Sequence, residues 1–343
     1  MRTVRAIDVG FGVTKYICRA DGEHIECAMF PSLSQFDMSD YTEGDSFGQR
    51  FQVASVPQGP YFHTVGPDVE MVMDGYRPIN ARDNYPDSAA YAAYLRGALY
   101  FMDVEVIDLL VLGLPVADLT DKRKGLVRLA EGEHRVGGGR TVLVKRALVV
   151  AQPQGALVTY ASQAGVMDRV QQQENLVIDA GTRTFDWVVS RGLRLQTKRS
   201  HSANAGVVNV LNELAFAIAR DLKATSCHFQ GAVDRALFTG EPLRLFGRPY
   251  PLDKHKQLIA KVVDRGVGEM LERIGNVQQY DNVVLAGGGA FLFRKRIQEE
   301  FGKQAVVELD EPIFANVRGF QLAGQSQLEV EGQGQEIQGE VER

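Results

Sequence analysis

Two short apolar runs in this chain end in Asp-x-Gly and enter small polar turns. The first reads Ala6-Ile7-Asp8-Val9-Gly10-Phe11-Gly12-Val13-Thr14-Lys15, and the second reads Leu176-Val177-Ile178-Asp179-Ala180-Gly181-Thr182-Arg183-Thr184. Each run delivers a carboxylate to a strand end, and the glycine lets backbone N–H groups approach an anion that a Cβ would hold away. One such turn alone is also ordinary hairpin chemistry. Two facing copies can grip one phosphate tail with its metal ion. A third run, Asn282-Val283-Val284-Leu285-Ala286-Gly287-Gly288-Gly289-Ala290, leads a buried-type strand into three consecutive glycines, with Phe291-Leu292-Phe293 after them. Apolar on both sides, these glycines offer a bare backbone surface for a flat aromatic base or an α-phosphate.

The elements that must position these groups follow from periodicity. Val4 to Asp8 is expected to pair with Lys15 to Arg19 across the first turn, and His24 to Phe30 alternates as a third strand. Strand, glycine turn, strand and turn recur at 176 to 199, which predicts two related α/β domains with a cleft between them, each contributing one carboxylate. Between them the spacing predicts a helix over Ser88 to Met102, a buried strand over Val106 to Pro115, a strand over Lys145 to Ala151 and a helix from Gly155. At 343 residues, 45% hydrophobic and 24% charged, the chain has room for two cores. The expected organisation is domain I over 1–160 with an inserted subdomain at about 31–85, domain II over 161–314, a closing helix over 315–324 and a disordered tail over 325–343. That tail is rich in Gln, Glu and Gly and too poor in apolar residues to offset ordering.

The net charge of −5 argues against wholesale sequence-independent DNA binding, so DNA contact is expected only through a partner. Cys18, Cys27 and Cys227 are odd in number and lack CxxC spacing, so neither a disulfide framework nor a zinc site is expected. No window approaches a membrane span and no cleavage pattern opens the sequence. A soluble cytoplasmic protein is the expectation.

Taken in this order and at these separations, the three glycine elements resemble the actin-like ATPase superfamily, whose fold is ribonuclease H-like and duplicated around a nucleotide cleft. The first motif and the compact length look most like the ParM/StbA group of plasmid segregation actins. The arrangement over residues 4 to 323 is particularly similar to the ParM-like proteins of PRTRC plasmid systems. The resemblance implies an ATPase, using ATP or GTP with Mg²⁺. It also implies self-association into filaments that segregate or position plasmid DNA through a ParR-like DNA-binding adaptor. Alternatives of the same fold are a small-molecule kinase and a weakly hydrolysing scaffold.

Phosphoryl transfer needs charge neutralisation and an aligned nucleophile more than covalent help. Asp8 and Asp179 are the expected pair organising Mg²⁺, through water, because that ion keeps much of its hydration shell. Thr14 and Lys15, with the amides of Gly10, Phe11, Gly12 and Val13, are placed for β- or γ-phosphate oxygens. Gly181, Thr182 and Thr184 offer the same donors in the second turn. Arg183 departs from the small residue common there and either reaches the γ-phosphate or points to solvent. Asp186 is a second acid or a strand-edge ion-pair partner. By resemblance, Gln154 orients the attacking water, with Gln152 in reserve. Gly206 and Glu213 lie near the ribose, and Gly287, Gly288 and Gly289 lie beside the adenosine and α-phosphate.

Overall fold

The computed structural model describes residues 2–22, 24–40, 50–73, 85–223 and 229–341, with side chains to 333. Cys227 and much of the expected insertion, 41–49 and 74–84, lie outside the described residues. Two compact units result: Met1–Gln171 with Leu309–Arg343, and Gln172–Glu308.

The first unit is built on a five-stranded sheet in the order Ala147–Ala151, Leu109–Leu114, Val4–Val9, Val13–Asp21, His24–Pro31. Val4–Val9 is parallel to Leu109–Leu114 on one side and antiparallel to Val13–Asp21 on the other. Leu109–Leu114 is buried along its whole length, as expected of a strand covered on both faces. The second unit repeats this order in Val306–Glu308, Asn282–Ala286, Glu174–Ala180, Phe185–Arg191, Arg194–Leu195. The same pattern of parallel and antiparallel neighbours surrounds its central strand. Its core stacks Phe185 on Phe293, with ring centroids 4.6 Å apart, beside the buried Trp187.

Helix positions follow local chemistry. Ser88 caps Ala89–Phe101 by accepting the Tyr91 N–H at 3.1 Å, and that helix buries Tyr91, Tyr94, Leu95, Ala98 and Leu99. The expected strand over 106–115 is two pieces, because Val106–Ile107 pairs instead with Arg140–Val144 in a small separate sheet. The helix expected from Gly155 begins at Gln152, since Pro153 fits the first turn where its missing N–H costs nothing.

The tail expectation is corrected. One helix runs from Ala315 to Val341 in place of a ten-residue closing helix and a disordered tail. Low apolar content removes core burial without removing helix propensity, and Gln, Glu and Leu are good helix formers. Arg146 also holds Glu331 with two parallel bonds, Nη1 to Oε2 at 3.2 Å and Nη2 to Oε1 at 3.0 Å. Among the described residues, no helix is long and apolar enough to cross a membrane.

Candidate functional site

In the first unit, Asp8 ends the central strand with its carboxylate buried, at 1% exposure. Cross-strand register sets Lys15 opposite it, and Lys15 Nζ donates to Asp8 Oδ2 at 3.0 Å. Gln152, at the start of its helix, donates Nε2 to Asp8 Oδ1 at 2.6 Å. Tyr91 is fully buried nearby. Burial first, and the Asp8 charge second, push its phenol far above the usual range and keep it protonated.

The turn between these strands is closed from within. Gly10 N–H donates to Asp8 O and Val13 O, both at 3.1 Å, so this amide holds the turn and is not presented to a ligand. Ser32 adds its N–H to Gly12 O and its Oγ–H to Gly10 O, at 2.9 and 2.7 Å. Thr14, expected to meet phosphate, is fully buried and its Oγ1 bonds Ser32 Oγ at 2.9 Å. Strand alternation is the reason: with Lys15 on the Asp8 face, Thr14 must face inward. Phe11, half-buried, packs its ring on the core of this unit.

The second unit repeats the turn. Gly181 N–H donates to Thr184 O at 2.9 Å, and Asp179 stands opposite Asp186 in the position that Lys15 takes opposite Asp8. Asp186 is buried and accepts hydrogen bonds from Thr184 Oγ1 and Ser202 Oγ. The Thr184 hydroxyl is therefore directed at Asp186. Asp186 thus stands beside Asp179 with two hydroxyl donors on its carboxylate. Gly206 seats the Val207–Asp221 helix against the turn. A Cβ there would lie 2.4 Å from the Arg183 carbonyl carbon, while Val207 and Val208 donate their N–H groups to Gly181 O and Thr182 O.

The glycine loop reaches the same place. A Cβ on Gly287 would lie 2.3 Å from Asp179 Oδ1, and its φ of +90° suits glycine alone. Gly289 N–H donates to Ala180 O at 2.8 Å, and a Cβ on Gly289 would lie 2.6 Å from Val207 Cγ2. Asp179, Gly181, Gly206, Gly287 and Gly289 are thus gathered in one unit. Gly288, half-buried, is carried between them, and Thr182 and Arg183 are half-buried in the turn. Glu213 is exposed one and a half turns along the helix that Gly206 opens.

Gln154 is the third residue of its helix, and its Oε1 accepts the Ala151 N–H at 3.1 Å. It closes its own helix start, while the reserve residue, Gln152, makes the contact to Asp8. Ser32 and Ser202 were missed by motif reading because each arrives on a partner strand or the loop after it. Their signal is register: Val13↔Pro31 and Asp186↔Ser202.

Residues 6–155 match the family of actin-like proteins, N-terminal domain, and residues 177–299 match the archaeal actin homologue family, MreB-like, C-terminal. The chain is an actin-like protein. Among solved structures, the archaeal actin homologue Ta0583 is similar at 21% identity with a TM-score of 0.75, covering 95% of this chain and 99% of that one. Its complex with ADP gives 20% identity and 0.73, covering 94% and 99%. A ParM from a 15-stranded filament of Clostridium botulinum gives 18% and 0.74, covering 95% and 100%. A comparison with curated protein sequences finds no match.

The actin-like chain has residues that fit a nucleotide with Mg²⁺. Gly287 leaves a cradle beside Asp179 that any Cβ would fill. Within the second unit, Asp179 and Asp186 stand opposite each other on paired strands and offer oxygen donors, the kind a hard divalent cation takes.

Proposed function

We propose that this actin-like chain is a nucleotide-dependent, filament-forming ATPase that segregates or positions plasmid DNA through a ParR-like DNA-binding adaptor. The observation that carries the reading is the repeated turn: in each unit a buried aspartate ends the central strand, and in the second unit a glycine loop is pressed against it. ADP in Ta0583 and the filament of the Clostridium botulinum protein support nucleotide and self-association as the direction to test.

In this reading Asp8 and Asp179 hold Mg²⁺ through water, and ATP or GTP supplies the phosphates. The bound ion neutralises charge on the β- and γ-phosphates. Lys15 exchanges its bond to Asp8 for a phosphate oxygen, which frees the carboxylate for the hydrated ion. The exposed parts of both turns, with Thr182 and Arg183, face the phosphate tail, and Gly206, Glu213 and Gly287 to Gly289 face the nucleoside. Gln154 aligns the attacking water after leaving the Ala151 N–H, with Gln152, already on Asp8, as the alternative.

Calorimetry with Mg²⁺ and ATP or GTP, followed by phosphate release on the same samples, tests the enzymatic half. Binding with slow release is expected. No binding of either nucleotide to the intact protein overturns it.

A further inference from the structure

Ser32 follows the strand His24–Pro31 and is 3% exposed. Both its hydroxyl and its amide are spent on the first glycine turn: Oγ–H donates to Gly10 O at 2.7 Å and N–H donates to Gly12 O at 2.9 Å. With that proton on Gly10 O, the Thr14 hydroxyl is the donor in its 2.9 Å bond to Ser32 Oγ, and Thr14, fully buried, fixes the serine rotamer. In a planar trans peptide the N–H points opposite to the C=O. Holding the Gly10 and Gly12 carbonyls therefore turns the N–H groups of Phe11 and Val13 away from Ser32.

The second unit holds the equivalent carbonyls by other means. Gly10 N–H donates to Val13 O in one turn and Gly181 N–H to Thr184 O in the other, so Gly10 matches Gly181 and Gly12 matches Arg183. Gly181 O accepts the Val207 N–H at 3.1 Å, and Arg183 O accepts the Gly206 N–H at 2.9 Å. The start of a helix does in this turn what a single serine does in the first. Packing alone gives no reason for two unrelated holders to choose the same two carbonyls.

We infer that Ser32 is a positioning residue for phosphate binding, setting the Phe11 and Val13 N–H groups toward the phosphate tail of a bound nucleotide. The inference rests on the nucleotide reading above and adds to it the residue that shapes the first turn. Ser32 touches no ligand and acts only through that turn. Without its hydroxyl the Gly10 carbonyl loses its holder, and the freedom of glycine lets the peptide rotate and carry the Phe11 N–H with it.

The test is calorimetry on the full chain with Mg²⁺ and ATP or inorganic tripolyphosphate, with denaturant midpoints to show that each variant is folded. Ser32→Ala removes the hydroxyl and keeps the amide. It is expected to weaken both ligands by a common factor of about ten- to a hundredfold, the worth of one hydrogen bond to a charged group. Ser32→Thr restores the hydroxyl and is expected to recover most of that loss. Amide NMR of the native chain reads the turn without any substitution: the Phe11 and Val13 resonances should move on adding tripolyphosphate more than that of Gly10, whose N–H is spent inside the turn. A folded Ser32→Ala that binds tripolyphosphate like the native chain overturns the inference while the nucleotide reading stands. So does a loss confined to ATP, a folded Ser32→Thr as weak as Ser32→Ala, or Phe11 and Val13 resonances that stay fixed at saturating tripolyphosphate. A native chain that binds neither ligand overturns the nucleotide reading and the inference with it.

Discussion

Gly287 admits no side chain, because a Cβ would press on Asp179 Oδ1 and on Ala180 O, at 2.3 and 2.4 Å, at a φ that L-residues rarely adopt. Gly287→Ala is therefore predicted to cost roughly 1–3 kcal/mol of stability and to push Asp179 out of place. Chemical denaturation with a parallel ATP titration checks both. Asp179→Ala should abolish hydrolysis more completely than it abolishes binding, read as phosphate release against calorimetric affinity. The two glutamines separate by the same pair of measurements. Gln154→Ala is expected to slow hydrolysis with affinity nearly intact, since water alignment matters in the transition state and little in the ground state. Unchanged hydrolysis in Gln154→Ala with a loss in Gln152→Ala would transfer the role to the residue that touches Asp8. At this scale the strand-end aspartates and glycines were legible, because each is fixed by residues next to it in sequence. The hydroxyl partners of Thr14 and Thr184, Ser32 and Asp186, were not legible, because the first is set by cross-strand geometry and the second by the fold of the turn.

The helices Gln152–Gln163 and Ala315–Val341 approach through glycine. A Cβ on Gly319 would lie 1.8 Å from Gly155 O, and a Cβ on Gly155 would lie 2.3 Å from Asn316 O. Gly319→Ala must separate the helices or bend one, so a destabilisation of about 1–3 kcal/mol or more is expected. Gly125→Ala, inside Leu119–Ala130 with nothing nearer than 3.9 Å, should instead stabilise by roughly 1 kcal/mol. Denaturant midpoints of the two variants give the contrast. His134 supplies a pH dependence to the same unit. Burial lowers its pKa more than the bond to Ala130 O raises it, so the unfolded chain takes the proton first, near pH ~6.5. Stability is present above that pH and is lost as pH falls below it toward the folded pKa. Melting temperatures between about pH 7.5 and 5.5 should show the loss, and His134→Gln should flatten it. The helix over Ser88 to Met102 was legible in the sequence from its apolar spacing. The continuation of the last helix past 324 was not, because the groups that Leu328 and Glu331 meet, the core of the first unit and Arg146, are distant in the chain.

Across the whole molecule the same five-strand order appears twice, and the repeat was readable from two Asp-x-Gly strands each followed by an antiparallel partner. What local sequence does not encode is assembly, since contacts between copies are spread over surfaces without a motif. Assembly is also where the filament reading departs from a kinase or a passive scaffold of the same fold. Light scattering and pelleting of the native chain at micromolar concentration, with Mg²⁺ and ATP, GTP or a non-hydrolysable analogue, test it most directly. The account predicts scattering that rises only with nucleotide, persists with the analogue and decays as ATP is consumed. Scattering that stays flat with all three, in protein shown to bind them, would contradict it.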